Sequence, residues 1–261
     1  MRELAPAAQQ VGRSGDEVNP VLNFDRVSKV FANGTEAFGD VSLSLRPGEL
    51  VSILGPSGCG KTTVLKVASG LLAPTSGSIE REEGSLGYVF QDPTLLPWRN
   101  VFRNVELLLE LEHQPKAERR RRVEEALRLV GLTDFAGHLP RQLSGGMRMR
   151  TSLARWLATR PRLFLFDEPF GSLDEITRER LNEELSGLFV HEGFAGLFVT
   201  HSIYEAVFVS TRVLVMSPRP GRIVAEFEVP FEHPRTFDVR FTSEFGALTN
   251  QVARALRQAA S

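Results

Sequence analysis

Residues 55–62 constrain the fold of this chain more than any other segment does. Their sequence, Gly-Pro-Ser-Gly-Cys-Gly-Lys-Thr, fills every position of the phosphate-binding pattern G-x-x-x-x-G-K-S/T. The apolar run 50–54 precedes them, and a helix-compatible stretch, 62–72, follows. A strand, a glycine-rich loop and a helix in this order present backbone N–H groups and a helix N-terminus to an anion. The alternative, a glycine-rich turn with a solvated lysine, leaves the complete pattern without a reason, so the segment predicts an α/β fold with a polyphosphate site.

Each residue of this loop has a predicted role. We expect Gly55, Gly58 and Gly60 to let the backbone turn tightly enough for its N–H groups to surround phosphate oxygens. Lys61 is expected to reach the β- and γ-phosphates, and the Thr62 hydroxyl to bind Mg²⁺. The predicted nucleotide contacts are completed by the other loop residues and the one that follows, Pro56, Ser57, Cys59 and Thr63. Because the chain has a single cysteine, an internal disulfide is excluded, which fits a reducing cytosol.

The composition excludes several classes of protein. A chain of 261 residues accommodates one large α/β domain, or a core with a small subdomain. The net charge of −1 argues against nucleic acid as the main partner. No apolar run approaches the roughly 20 residues that span a bilayer, so we expect a soluble chain whose role at a membrane requires a partner. Residues 1–20 lack the apolar segment of a secretory signal and are interpreted as a flexible leader.

The first part of the chain combines strands with a long helical block. Two β-rich segments, 21–30 and 41–45, are followed by a strand within 78–90. Helical periodicity then dominates from about 92 to 160, in segments 100–111, 118–130 and 146–159. We interpret this block as a helical subdomain inserted between strands. The arginine run 119–122 within it has acidic neighbours at helical spacing, which favours a solvated helix face over a phosphate or nucleic-acid site.

Strand-like segments return after residue 160. Short apolar runs alternate with helical stretches, as in a parallel sheet that is buried on both faces. The runs are 163–166, 197–200 and 213–216, and the helices are 174–189 and 202–209. A further strand is predicted at 222–229 and an amphipathic helix at 243–258. The predicted fold class is therefore α/β: a P-loop NTPase core with a mainly parallel sheet, an N-terminal antiparallel β subdomain and the inserted helical subdomain.

Two carboxylates, Asp167 and Glu168, follow the buried run 163–166. A nucleotide site needs a carboxylate opposite the phosphate loop to hold Mg²⁺, and we assign that role, through a water molecule, to Asp167. Glu168 is then free to orient and deprotonate the attacking water. Taken alone, Glu168 is equally well explained as an exposed acidic loop residue. The complete phosphate loop favours the catalytic interpretation.

Further features have two explanations each when they are judged from the residues alone. Gln91 follows a strand. In one interpretation its amide oxygen contacts Mg²⁺ or the lytic water, and in the other it is an ordinary loop amide. The Ser-Gly-Gly segment 144–146 opens a predicted helix and offers N–H donors to an anion, or forms a plain N-cap. His201 follows a strand and contacts the γ-phosphate or Glu168, or has a structural role.

Taken in order, these elements resemble the nucleotide-binding subunit of an ATP-binding cassette (ABC) transporter over about residues 21–225. The resemblance rests on the phosphate loop, Gln91, residues 143–146, Asp167 with Glu168, residues 172–174 and His201. It implies ATP with Mg²⁺, Gln91 and His201 as partners of Glu168 in catalysis, and Gln91 as a metal ligand beside Thr62 and Asp167. Residues 226–261 are left as a C-terminal extension that ends in a helix.

The resemblance also implies a head-to-tail homodimer. Each phosphate loop then faces the signature segment of the other copy, which is Ser144, Gly145, Gly146 and Met147. Asp174 belongs to the loop that couples the two opposed sites, and Phe31 has the position of an aromatic residue that stacks on adenine. No arginine finger is evident, so the signature serine and its helix N-terminus are expected to supply donors to the γ-phosphate. Met147 and Met149 replace glutamines that are usual in the family, and Phe31 replaces a frequent tyrosine; we expect activity to survive.

The segments 90–98, 143–148 and 217–223 resemble one importer branch, which serves nitrate, sulfonates and taurine, and some relatives of which serve pyrimidine precursors instead. This implies integral-membrane permease subunits as direct partners, an extracytoplasmic solute-binding protein as an indirect one, no nucleic acid, and a peripheral location on the cytoplasmic face of the inner membrane. The candidate dock for a permease helix is the surface 92–100, with the apolar residues Pro93, Leu95, Leu96, Pro97 and Trp98. Without the family, a loop packed on the core explains these residues equally well.

Other functions of the same motifs were weighed against the importer. Soluble cassette ATPases of DNA repair or translation usually carry long coiled coils or tandem cassettes, whereas this chain has one cassette and no heptad insertion. A P-loop kinase or GTPase leaves the Ser-Gly-Gly segment unused, and the guanine-reading sequence Asn-Lys-x-Asp is absent. The sequence therefore favours the ATP-hydrolysing subunit of an importer. It does not name the solute, which never touches this subunit.

Overall fold

A computed structural model describes residues 19–260, so the predicted flexible leader, residues 1–20, lies outside the described residues except for its last two. The smaller of two β-sheets contains β1 (Leu22–Val30), β2 (Glu36–Leu45) and β4 (Ser76–Arg81). It is antiparallel, in the order β2-β1-β4.

The larger sheet contains β3 (Leu50–Leu54), β5 (Leu86–Val89), β6 (Leu163–Asp167), β7 (Ala195–Thr200), β8 (Arg212–Met216) and β9 (Ile223–Glu228). Its order is β5-β6-β7-β3-β8-β9. Neighbouring strands are parallel except for β9, which is antiparallel to β8. Every residue of β3, β6 and β7 is buried, because a central parallel strand is covered on both faces.

The helices are α1 (Lys61–Ala68), α2 (Val101–Leu111), α3 (Lys116–Leu129), α4 (Gly145–Leu157), α5 (Glu175–Glu192), α6 (Ile203–Val209) and α7 (Ser243–Ala260). Short 3₁₀ helices lie at Thr133–Phe135, Pro140–Gln142 and Phe237–Phe241. Helices α2, α3 and α4 pack on one another between β5 and β6 in the chain. None of the helices between residues 19 and 260 is both long and apolar enough to cross a bilayer.

The large sheet separates two hydrophobic cores. Leu50 and Leu54 of β3 point to the core that the helices cover, together with Phe166 of β6. Val51 and Ile53 point to the other core, which the small sheet and α1 cover. Since successive side chains of a strand face opposite sides, β3 anchors both layers at once. The loop that follows β3 is thereby held at a fixed edge of the sheet.

Buried polar side chains hold the loop 92–100, which precedes α2, in place. Asn104 is fully buried; its Oδ1 accepts from Leu96 N at 2.8 Å and its Nδ2 donates to Arg99 O at 2.7 Å. Arg155 of α4 donates to Asn104 Oδ1 at 2.9 Å and to Thr94 O at 3.3 Å. Burial lowers the pKa of Arg155 to about 10. These bonds join the loop 92–100 to α4, while Trp98 remains 73% exposed.

Hydrogen bonds from Arg235 attach the C-terminal extension to α5 and α6. Arg235 is buried and donates to the carbonyls of Val207, Phe208 and Ser210 at 2.9, 2.7 and 2.9 Å, at the end of α6. Its backbone N–H donates to Ser186 Oγ of α5 at 2.7 Å. These bonds satisfy carbonyls that a helix end leaves unpaired. The extension is thereby fixed to both α5 and α6.

Some boundaries differ from those predicted. The helix predicted at 62–72 ends at Ala68, because Gly70 has φ +81° and turns the chain away. The segment 78–90 is divided between two sheets, with β4 antiparallel to β1 and β5 parallel to β6. The arginine run forms the predicted solvated face, as in the Arg120–Glu124 contact of 2.8 Å, although Arg119 turns inward to buried Glu106 at 3.1 Å.

Candidate functional site

The phosphate loop between β3 and α1 has a backbone that only glycine permits at key positions. Gly58 and Gly60 have φ of +78° and +109°, in the region that L side chains disfavour. A Cβ on Gly60 would lie 2.6 Å from Ala37 O, and one on Gly55 would lie 2.9 Å from Met216 O. Gly60 precedes α1 and supplies no side-chain cap, so N–H groups of the first turn are left for a ligand.

Lys61 is only 4% exposed although it carries a charge. Its Nζ donates to Gly55 O at 2.8 Å and to Pro56 O at 3.1 Å, and lies 3.7 Å from Glu168 Oε1. A buried ammonium needs such partners. The loop therefore concentrates positive charge where the glycine backbone turns, as a polyphosphate site requires.

Thr62 and Asp167 meet across the site. The Thr62 hydroxyl donates to Asp167 Oδ1 at 2.8 Å, and the Tyr88 hydroxyl lies 3.3 Å from Asp167 Oδ2. Burial raises the pKa of Asp167, while the hydrogen bonds from Thr62 and Tyr88 oppose that change. Hydroxyl and carboxylate oxygens fit Mg²⁺, which takes few protein ligands and fills its shell with water and phosphate oxygens. Among the described residues no cluster of three or more His, Cys, Asp or Glu side chains could hold a metal ion.

Glu168 lies at the start of the loop after β6 in a strained conformation, with φ +45°. Backbone strain of this kind costs energy and occurs frequently at functional sites. Its Oε2 lies 2.9 Å from His201 Nδ1 at the end of β7, which is one of the two contacts proposed for His201. A Cβ on Gly171 would lie 3.5 Å from Gln91 Nε2 and 3.7 Å from Glu168 Oε2. Gln91, Glu168 and His201 therefore border one space.

The Cys59 side chain faces the core and not the space where the loop would hold phosphates. It is buried, and burial raises the pKa of the thiol. A Cβ on Gly221 would lie 2.2 Å from Cys59 O, so the segment after β8 presses on the loop. In the same segment, Arg219 Nε donates to Gly58 O at 3.1 Å. Arg219 had no predicted role; its signal was only its place in the segment 217–223.

The signature segment lies against the start of α5, the helix that Asp174 caps, within one chain. Ser144 caps α4 by accepting from Met147 N at 3.3 Å, and Asp174 caps α5 by accepting from Thr177 N at 3.0 Å. That hydrogen bond lowers the pKa of Asp174. A Cβ on Gly146 would lie 2.8 Å from Thr177 Cγ2. The plain N-cap is thus present at Ser144, and the glycine permits close helix packing.

Phe31 follows β1 and is 39% exposed, with Lys29 Nζ 5.8 Å from its ring centre. Its turn leads into β2, whose Ala37 lies against Gly60. By contrast, within residues 19–260 no hydrogen bond or ion pair joins Ser144 or Asp174 to Lys61, Asp167 or Glu168. The fold gathers the phosphate loop, Gln91, Asp167, Glu168 and His201 into one cluster and leaves the signature segment outside it.

Known proteins are similar to this chain in sequence. The family model described as "ABC transporter" matches residues 38–171. An ATP-binding protein of Brucella abortus (strain 2308) is 39% identical over 246 residues, which cover 92% of this chain and 94% of that protein. The "Taurine import ATP-binding protein TauB" of Rhizobium johnstonii is 44% identical over 222 residues, covering 81% and 85%.

Solved structures agree. The dimeric structure of MJ0796, a bacterial ABC transporter cassette, has a TM-score of 0.71 at 32% identity and covers 81% of this chain and 100% of that one. Another structure of the same cassette, a dimer in a post-hydrolysis state with ADP and Pi, has a TM-score of 0.70. These likenesses and the two sheets confirm the predicted fold class.

Proposed function

Because the chain belongs to the ABC transporter family and is an ABC ATPase, we propose that it is the ATP-hydrolysing subunit of an importer and works as a head-to-tail homodimer. The observation that carries the proposal is the cluster at one sheet edge, where Thr62 contacts Asp167 and Glu168 contacts His201. A phosphate loop opposite a carboxylate pair is the arrangement that phosphoryl transfer needs.

In the proposed reaction, the loop N–H groups and Lys61 hold the phosphates. Lys61 must leave the carbonyls of Gly55 and Pro56 to do so, which also frees Glu168 Oε1. Glu168 takes a proton from a water whose oxygen attacks the γ-phosphorus, and the bond to the β-phosphate oxygen breaks to give ADP and phosphate. Thr62, Asp167 and Gln91 are the proposed Mg²⁺ ligands, and the ion supplies charge neutralisation at the phosphates.

The homodimer is proposed because one chain leaves its signature segment unused. Ser144, Gly145, Gly146 and Met147 lie outside the cluster of their own chain, and the related MJ0796 cassette is dimeric. In a head-to-tail pair, each segment would approach the γ-phosphate of the other copy, so the same contact is made twice. Asp174 would couple the two sites, and Phe31 would stack on adenine.

A mixing experiment tests the dimer. Lys61→Ala disables a phosphate loop, and Ser144→Arg disables a signature segment, so each homodimer should be inactive. A mixed dimer has one doubly defective site and one intact site. Random mixing in equal amounts should therefore restore up to about a quarter of the wild-type ATPase rate. A mixture that stays as inactive as its components would refute the head-to-tail arrangement.

We also propose that residues 92–100 dock on a membrane permease, which would place the subunit peripherally at the cytoplasmic face. Trp98 is 73% exposed on a loop that Asn104 and Arg155 fix, and an exposed aromatic on a rigid support suits an interface anchor. Affinity purification from solubilised membranes should recover a polytopic permease. Trp98→Ala should weaken recovery, whereas Leu71→Ala, another exposed apolar site, should not. Recovery of ribosomes or DNA instead would contradict the importer.

The proposed solute is of the nitrate, sulfonate or taurine type. The support is the likeness to a taurine import protein, since the solute itself would contact only the permease and an extracytoplasmic solute-binding protein. Reconstituted transport should be tested with taurine, an alkanesulfonate and nitrate. Uptake of none of them would refute this assignment and leave the ATPase assignment untouched.

A further inference from the structure

Glu205 is a buried carboxylate to which the proposed reaction gives no role. It lies in the first turn of α6 and is 4% exposed. Burial raises the pKa of its carboxyl, and the hydrogen bond from Thr200 and the charge of Arg178 oppose that effect. Its Oε1 makes no hydrogen bond of normal geometry among residues 19–260, although the buried side-chain amide of Asn182 is close enough to stabilise the carboxylate. Burying such a group costs free energy, so a reason for its presence is needed.

Its other oxygen begins a short relay of hydrogen bonds. The Thr200 hydroxyl donates to Glu205 Oε2, and Ser202 N donates to Thr200 Oγ1 at 3.0 Å. Because a hydroxyl has one proton, donation to Glu205 turns the lone pairs of Thr200 toward the Ser202 N–H. The Glu205 N–H closes the turn by donating to Ser202 Oγ at 3.3 Å.

His201 lies between the two residues that the relay holds. Its side chain is 54% exposed, and its hydrogen bond is the one to Glu168 Oε2 at 2.9 Å. A half-exposed ring has little packing to fix its direction, so the backbone turn at 200–202 decides where it points. The same Glu205 carboxyl feels the charge of Arg178, which donates to Leu173 O at 2.8 Å, in the loop before Asp174.

We propose that Glu205 is a positioning residue, which acts through the Thr200 hydroxyl to aim His201 at Glu168. The inference rests on the proposed hydrolysis of ATP by this site. An ordinary alternative exists, since an acidic residue in the first turn stabilises any helix. The test must therefore separate an effect that passes through His201 from a general loss of stability.

Double-mutant cycles make that separation. Glu205→Leu and Thr200→Val each remove the relay, and we expect each to lower kcat about tenfold to a hundredfold with nucleotide Kd changed less than about twofold. In the His201→Ala background, the same changes should cost no further activity. Glu205→Gln keeps an acceptor oxygen and should stay within about threefold of wild type. Thr249→Val, at a buried threonine of α7 bonded to Phe245 O at 3.0 Å, is the matched control and should leave kcat unchanged.

A second readout does not depend on turnover. The ring nitrogen resonances of His201, assigned among the five histidines with His201→Ala, should shift in Thr200→Val and not in Thr249→Val. Equal losses of kcat with and without His201, or an unmoved His201 resonance, would overturn the proposal. Should Glu205→Leu not fold, Thr200→Val and Glu205→Gln decide it. A wild-type protein without ATPase activity would instead count against the proposed function, while the resonance still reports on the relay.

Discussion

The Thr62 hydroxyl donates a 2.8 Å hydrogen bond to Asp167 Oδ1, joining the first turn of α1 to the end of β6. In the proposed function both residues would hold Mg²⁺. Thr62→Val should therefore raise the Mg²⁺ concentration needed for half-maximal ATPase activity by about tenfold or more, the value of one charge-assisted contact. Thr62→Ser keeps the hydroxyl and should behave like wild type. Equal Mg²⁺ titrations for the Val and Ser variants would contradict the assignment, and chelation with EDTA should stop the wild type.

Replacing Glu168 should separate binding from hydrolysis. Glu168→Gln keeps the shape of the side chain and loses the base, so turnover should fall by about a hundredfold to ten-thousandfold. ATP should still bind, and the closed dimer should accumulate, which size-exclusion chromatography with ATP would reveal. Glu124→Gln, on the solvated face of α3, is the control. A normal rate in Glu168→Gln would show that another group is the base.

Lys61→Ala should remove most nucleotide affinity. A charged hydrogen bond contributes about 1.5–3 kcal/mol, so Kd should rise about tenfold to a hundredfold, measured by calorimetry with ATP. Lys116→Ala removes a charge at the start of α3, away from the loop, and should leave Kd unchanged. Unaltered binding by Lys61→Ala would refute the geometry assigned to the phosphate loop.

The effect of Gly146→Ala on the free energy of unfolding should depend on whether residue 177 is the native threonine or a serine. A Cβ there would lie 2.8 Å from Thr177 Cγ2, and overpacking costs about 1–3 kcal/mol, more than the roughly 1 kcal/mol that alanine gains over glycine in a helix. The free energy of unfolding should therefore fall. In the Thr177→Ser background the clashing methyl is gone, and Gly146→Ala should be neutral or stabilising. Urea unfolding of the four proteins checks this, and equal destabilisation in both backgrounds would contradict it.

His233 should make stability depend on pH. Its Nδ1 lies 2.8 Å from Ser186 Oγ, and burial, aided by the charge of Arg235, lowers its pKa to about 4. The unfolded chain binds the proton near pH 6.5, so this contribution to stability is complete above that pH and is lost as pH falls from 6.5 toward 4. The loss amounts to at most about 3 kcal/mol.

Thermal melting of His233→Gln and wild type at several pH values measures that contribution. The difference in Tm between pH 7.5 and pH 5 should be smaller in the variant. His191→Gln, at an exposed histidine of α5, should keep the wild-type slope. An identical slope in His233→Gln would show that other groups cause the acid sensitivity.

Local patterns predicted which candidate residues follow buried strands, and the roles of those residues stay predictions. The phosphate loop follows β3, Glu168 follows β6 and His201 follows β7, and the 2.9 Å contact between the last two was one of the predicted alternatives. The order of the strands was not predictable, because pairs such as Leu54 with Thr200 join distant parts of the chain. Family membership was correctly inferred, because it depends on the order and spacing of the motifs and not on the exact ends of helices and strands.

Contacts that depend on tertiary placement were missed. Arg219 reaches Gly58 O, Arg155 reaches Asn104, and Arg235 reaches the end of α6. Arg219 and Arg235 lie in segments without a periodic signal, and the helical period of α4 does not show what Arg155 contacts. An arginine in a sequence is ordinarily assigned to solvent, and only the folded chain shows the carbonyls that it satisfies. The roles of the signature segment, Asp174 and Phe31 stay predictions.

The bonds from Arg155 to Thr94 O and Asn104 have a mechanical consequence. Arg155 is near one end of α4, and the residue that caps the other end is Ser144. Thirteen helical residues form a rod about 20 Å long. A displacement of the loop at Trp98 would therefore be transmitted along the axis of α4 to Ser144, because a helix of this length bends little.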